Sequence, residues 1–475
     1  MLSIHSSHTI LLLLTGLNIL NYCDRYLPSA CKDYIKSELQ LSNVQTSIPL
    51  TCFVIIYIVT APLFTVLHDK YKVKRKYIIC VSAIIWSCMT ICSGLSDTYM
   101  TYLITRSLVG LGEAGFVTIS SSAICDLYSI KYRTAALTLY YIGIPFGSAC
   151  GFIIGSYMSQ YYTWRDSFML CGGPGVILGI TVLCIEEPVP GCHDNIHSQL
   201  DESINTDIHM RQHGNKNNST VDHQQANDVY VQLMNVQPAA DNAINYDPVE
   251  LSWYTTIHYL YTNKIWLYCI FGTICCTFGS GGVADWMTVY FTRTYTDTTL
   301  SNTGFIIGCI TVISGVCGTL TGTYLSNYLY NNTSLQQHTS YMYMSSIALL
   351  LSAISTFITI SIHNCTVSYI TLFIAQYTQW MYTAPINTIL LNSVHSSKRN
   401  QSVAIQILLI HLLGDAISPS IIGVLNDQTS SLYISLLIVP LIYLCASIIW
   451  CVGALVTKHI IIQPTSVIDN DINTK

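Results

Sequence analysis

The chain has 475 residues, 51% of them hydrophobic and only 9% charged, with a formal net charge of −5. An ordinary soluble domain carries about 25% charged residues, so the composition argues against a soluble enzyme or nucleic-acid binder and for a polytopic membrane protein. Most of the nineteen cysteines lie in apolar runs (Cys80, Cys88, Cys92, Cys275 and Cys276 among them) without paired CxxC motifs, and read as small buried hydrophobes.

The first apolar run, from about His8 to Leu20, lacks a basic flank and a small-residue cleavage site. It is expected to be span 1, with Asp24 and Arg25 at its far end. Span 2 covers about Ser47–Leu67, and the loop after it holds Lys70, Lys72, Lys74, Arg75 and Lys76. Spans 3 to 6 are expected near Tyr77–Leu95, Tyr99–Ile124, Ala135–Met158 and Ser167–Ile185. Eleven acids against two bases then lie between Glu186 and Glu250, the composition of a solvated, disordered linker. Tyr230 and Tyr246 there head weak tyrosine-based sorting patterns. Six more spans follow, near Ile265–Phe291, Thr303–Leu325, Tyr341–Ile362, Val367–Leu391, Ser402–Leu425 and Leu432–Val456.

The expected fold is therefore an all-α membrane protein of 12 transmembrane helices in two six-helix bundles. Its parts are an N-terminal bundle (1–185), a cytosolic linker (186–263), a C-terminal bundle (264–457) and a cytosolic tail (458–475). Basic residues favour the even-numbered short loops, which places both termini in the cytosol by the positive-inside rule. Asn364 is then the one plausible glycosylation site.

Span 4 carries the densest signal, Arg106-Ser-Leu-Val-Gly110-Leu-Gly112-Glu113-Ala-Gly115. A charge at the membrane centre costs about 2.5–3.5 kcal/mol, so such residues usually face an interior or cavity. Arg106 and Glu113 are seven apart, on nearly the same helical face. They are expected to be a balanced pair, in which a solute anion competes for the guanidinium and frees the acid to take a proton. The alternative is an ion pair that only holds helices together. An arginine fork also suits a phosphate or carboxylate. His411 and Asp415 are i, i+4 on span 11 and can touch. Asp285 in span 7 is a further intramembrane acid. On span 5, Gly143, Gly147, Gly151 and Gly155 recur every fourth residue, a helix-packing ridge that also suits a rocking interface.

Six spans, a linker and six more is the layout of major facilitator transporters. Asp69-Lys70 with its basic run resembles a general motif of that superfamily. Asn21-Tyr-Cys-Asp24-Arg25, the span 4 stretch, Ile144-Pro-Phe-Gly-Ser148 and His411-Leu-Leu-Gly-Asp415-Ala-Ile-Ser-Pro419 together resemble the Spinster family of lysolipid and sphingolipid transporters. The resemblance implies a polar core of Asp24, Arg25, Arg106 and Glu113, with Glu113 coupling protons, and a second polar patch of His411 and Asp415. It implies a gate at the cytosolic face built on Asp69, Lys70 and Arg133. Thr65 and Lys70 replace the usual Gly and Arg, and Met287-Thr288 stands where a proline was expected after Trp286.

The expected function is a proton-linked secondary transporter of a lysophospholipid or sphingoid lipid, working by alternating access. A small organic anion or sugar derivative is the alternative substrate, and a non-transporting receptor the alternative class. The expected partners are a lipid-like substrate, protons and membrane lipids, without nucleic acid, metal or cofactor. A monomer in a lysosomal, endosomal or plasma membrane is expected.

Overall fold

An apolar helix of membrane length satisfies its own backbone, the condition hydrocarbon imposes, and this sequence meets it repeatedly. The computed structural model describes residues 6–128, 130–185, 253–394 and 398–460. Ten of its helical segments are long and apolar enough to cross a membrane. Two more crossings complete the twelve. Span 1, Ser7–Ala30, is diluted by Asn18, Asn21, Asp24 and Arg25, and span 10 is broken in two, Cys365–Trp380 and Thr383–Asn392. Pro385 causes the break, since it has no N–H for the carbonyl of Met381. That carbonyl instead faces Gly322 of span 8.

In the N-terminal half, span 2 is Asn43–Asp69, span 3 Arg75–Gly94, span 4 Tyr99–Leu127, span 5 Ile130–Tyr161 and span 6 Trp164–Thr181. In the C-terminal half, span 7 is Lys264–Thr294, span 8 Leu300–Asn332, span 9 Gln337–Ser361 and span 12 Ile438–Thr457. Span 11 is interrupted. Arg399–Ile410 and Ser418–Thr429 flank a π-helical turn at His411–Asp415, a feature often found at functional sites. Side chains of Ser42, Thr98, Thr163, Thr299 and Asn364 cap spans 2, 4, 6, 8 and 10, each cap worth about 1 kcal/mol.

The packing repeats between the halves. Span 1 lies on 5, 2 on 4, and 3 on both 4 and 6; correspondingly 7 lies on 11, 8 on 10, and 9 on both 10 and 12. Two related six-helix bundles result. They meet where span 2 crosses 11 and span 5 crosses 8, with span 1 against 7 between them.

Three expectations change. Asp24 is buried within span 1, which continues to Ala30, so the acid and base are not at the helix end. The segment expected as linker lies outside the described residues up to 252, but Trp253–Thr262 is helical. Leu260 and Thr256 bury one face of that helix against spans 7 and 11, and the Thr256 hydroxyl donates to Gln401. The span 5 glycine ridge does not form the rocking interface. A Cβ at Gly147 or Gly151 would collide with the carbonyls of Ile19 and Cys23 of span 1, inside the same bundle. The inter-bundle seam takes its close approach from Gly304 and Gly308 of span 8, which face the carbonyls of Phe152 and Ala149.

Candidate functional site

Span 1 presents Asp24 and Arg25 side by side, and span 4 answers with Arg106 and Glu113. The pairing crosses over. Arg106 Nη1 donates to Asp24 Oδ1 at 3.0 Å, and Arg25 Nη2 donates to Glu113 Oε2 at 2.6 Å. Arg106 and Glu113 do not pair with each other as the spacing suggested, because two helical turns separate them by about 10 Å along the axis and span 1 fills the gap. The two pairs differ in character. Arg106 and Asp24 are 4% and 3% exposed, and Thr90 Oγ1 also donates to Asp24 Oδ2 at 2.7 Å. That pair is enclosed and its acid is well bonded. Arg25 is 18% exposed while Glu113 is fully buried, and Glu113 Oε1 has no hydrogen-bond partner among the described residues. Glycines 110, 112 and 115 face Phe53, Trp86 and Ser82 rather than a ligand space, so they serve the packing of spans 2 and 3.

Arg25 opens onto a cavity of about 60 Å³ between the bundles, lined also by Phe53, Tyr57, Asp285, His411 and Asp415. The rings of Tyr22, Phe53 and Tyr57 stand 4.8, 5.1 and 5.4 Å from its guanidinium carbon, an arrangement that stabilises a cation. Across the cavity His411 Nδ1 bonds Asp415 at 3.0 Å, with the Tyr57 ring edge-on to the imidazole. A second cavity of about 70 Å³ adjoins the first through Tyr26 and Ala284. Phe152, Val283, Ile307 and Leu372 make its walls largely apolar, and Gln376 and Gln379 add amides.

The polar bonds between bundles gather toward the end opposite the chain termini. Asp285 accepts from Lys32, from Ser29 Oγ at 3.0 Å and from Ser47 Oγ at 3.0 Å. Farther out, Arg293 pairs with Asp33 at 2.5 Å, and Asp427 accepts the backbone N–H groups of Asn43 and Val44. At the terminus-bearing end, Arg75 Nη1 donates to Asp126 at 2.5 Å.

A family model described as Major Facilitator Superfamily matches residues 14–419. The chain belongs to the major facilitator superfamily. Within it the protein is of the Spinster type. It is 28% identical to protein spinster homolog 1 of Xenopus laevis over 90% of this chain and 74% of that protein. With the Homo sapiens protein of the same name the identity is 27%, over 89% and 73%. The fold is also that of a crystal structure of a bacterial homologue of the human lysosomal transporter Spinster, inward-facing and occupied, with a TM-score of 0.72, 17% identity and coverage of 95% and 97%. A Spinster-type facilitator is a multi-pass secondary transporter of small molecules that works by alternating access, and not an enzyme.

In this facilitator the structure brings together Asp24, Arg25, Arg106 and Glu113, and places His411 and Asp415 across the same cavity. Lys70 is exposed beside Tyr71, and the side chains of Asp69 and Arg133 lie outside the described residues, as do Tyr230 and Tyr246. Sequence reasoning gave no site role to Lys32, Asp33, Arg293, Asp126 or Asp427. Each sits at a helix end, where a charge draws no notice until its partner from another span is known.

Proposed function

We propose that this facilitator moves a single-chain amphipathic lipid with a phosphate-bearing head group, a lysophospholipid or sphingoid phosphate, in a proton-linked cycle. One observation carries the reading: a cavity-facing arginine pairs with a fully buried glutamate, and an apolar chamber opens alongside. The head group takes Arg25, and the acyl chain lies along Phe152, Val283, Ile307 and Leu372. Competition for the Arg25 fork leaves Glu113 without its counter-ion in a medium that penalises a lone carboxylate. Its unpartnered Oε1 then takes the proton. The role that the sequence suggested for Arg106 passes to Arg25, since Arg106 is enclosed with Asp24 and serves the bundle's architecture.

The positive loops argue for cytosolic termini, so the closed opposite end fits an inward-facing state. Human Spinster is a lysosomal transporter, which favours an acidic organelle as the membrane, a setting that supplies protons. A monomer contains both bundles and the whole cavity.

Gln376 and Gln379 in the apolar chamber favour a second reading, a sugar-like or small organic anion. Equilibrium binding to purified protein separates the two. Labelled lysophosphatidylcholine and sphingosine-1-phosphate should bind and be displaced by each other but not by glucuronate. Arg25→Met should weaken binding by about tenfold or more, the loss of a charge-assisted contact of about 1.5–3 kcal/mol. Displacement by glucuronate, or lipid binding indifferent to Arg25→Met, would overturn the lipid reading.

A further inference from the structure

Asp285 belongs to neither polar patch described above, yet it is the acid most tightly tied across the two bundles. It projects from span 7 of the C-terminal bundle and is 3% exposed. Every donor it meets comes from the N-terminal bundle: Ser29 at the end of span 1, Ser47 at the start of span 2, and Lys32 from the short helix Lys32–Glu38 between them. Lys32 is itself 3% exposed, donates to Ser47 Oγ at 2.7 Å, and lies 3.6 Å over the Trp286 ring. The Trp286 indole N–H is in turn fixed on the Pro419 carbonyl of span 11 at 3.0 Å. Asp285 also lines the central cavity with Arg25, His411 and Asp415. It therefore stands at the boundary between the substrate space and the closed opposite end.

Alternating access requires the bundles to part at that end, and parting them takes Lys32 away from Asp285. Removing one partner of a buried pair leaves an uncompensated charge and is strongly unfavourable. Neutralisation of the carboxylate removes that cost. We infer that Asp285 is a proton-carrying site separate from Glu113, loaded as the opposite end opens and emptied when Lys32 returns.

The proton comes from water reaching the opening vestibule and adds to the carboxylate that Lys32 has left. On reclosure the ammonium again favours the carboxylate, and the proton departs into the central cavity that Asp285 lines. Ser29 and Ser47 donate in the closed state and are not charged at working pH. The charged groups nearest the pair are Asp33 and Arg293, paired with each other, and Lys36 and Asp427, both bonded to Asn43; Glu38, Asp97 and Arg165 form a separate cluster within the N-terminal bundle, and Asp166 and Asp297 also lie at this end. Tyr102 faces the same field from span 4. Among these, Asp285 and Lys32 are the two that must separate a fully buried contact. The inference rests on alternating access and not on the lipid reading or on Glu113.

Hydrogen exchange followed by mass spectrometry tests it on the full chain without a substrate. Rates are corrected for the intrinsic pH dependence of amide exchange. In the parent protein, peptides covering residues 31–43 and 288–299 should be protected at pH 7.5 and exchange at least about tenfold faster at pH 5, where the protonated acid no longer holds Lys32. Asp285→Asn, which strands Lys32, should be deprotected at both pH values. Lys32→Met/Asp285→Leu should regain protection and lose the pH response, while Glu113→Gln should keep the response. Peptides over residues 78–90 report global unfolding, and the double variant covers the case in which Asp285→Asn does not fold. Parent-like protection and pH response in Asp285→Asn or in the double variant would overturn the inference. So would loss of the response in Glu113→Gln, which would assign the titration to Glu113 instead.

Discussion

Two arginines that look alike in sequence do different work. Arg106 is enclosed with Asp24, whose carboxylate also accepts from Thr90, so its removal leaves a buried acid short of a counter-charge. Arg106→Met should lower stability by about 3–5 kcal/mol, the cost of breaking a buried pair, and be read as a loss of folded yield and a lower melting temperature in detergent. Arg25→Met should leave the melting temperature within a few degrees of the parent's and abolish transport, because the buried Glu113 that loses its counter-ion takes a proton instead of remaining a lone carboxylate. A variant set with the opposite pattern would reverse the two roles. The sequence made all four residues legible as intramembrane charges, but not their partners. Spacing on one helix says which side chains share a face, and the partner here comes from a second helix whose rotation only the packing fixes.

At the scale of elements, close approach is set by glycines on known faces. Gly147 and Gly151 meet the backbone of span 1, so Gly147→Ala or Gly151→Ala should cost about 1–3 kcal/mol by overpacking. Gly173 of span 6 has open space around it, and Gly173→Ala should be neutral in the same thermal assay. The regular spacing of four was visible in the sequence; the face it serves was not, because a glycine ridge is the same signal whether the neighbour is in its own bundle or the other.

The short helix before span 2 makes a second testable contact. Burial raises the Glu38 carboxyl, but hydrogen bonds from Trp164 and Arg165 outweigh it and hold the group below the usual glutamate range. The stabilisation is therefore fully present above the unfolded value of about 4.3 and is lost as pH falls through the lower folded value. The pair is partly exposed, so its worth is at most about 1 kcal/mol. The melting-temperature difference between parent and Glu38→Gln should be constant from about pH 8 to pH 5 and shrink as pH falls below the unfolded value of about 4.3. A difference that stays the same at every pH would mean that Glu38 titrates at its ordinary value.

The whole molecule follows from two repeated bundles joined at a few crossings. The six-plus-six pattern was legible from hydropathy alone, since hydrocarbon imposes helix length directly on the sequence. Broken spans 10 and 11 were less so: Pro385 and Pro419 lie within apolar runs that read as continuous. The interface between bundles was the least legible part. Its closing contacts, Lys32–Asp285 and Asp33–Arg293, join residues about 250 positions apart in the chain. Such a contact exists only once the bundles are set against each other.

The most direct measurement of the central claim is uptake of labelled lysophosphatidylcholine into proteoliposomes, with and without an imposed pH gradient, for the parent and Glu113→Gln. The account predicts gradient-stimulated uptake in the parent and, in Glu113→Gln, binding that persists while the gradient gives no stimulation. Equal uptake with and without the gradient in the parent, or stimulation that survives Glu113→Gln, would contradict it.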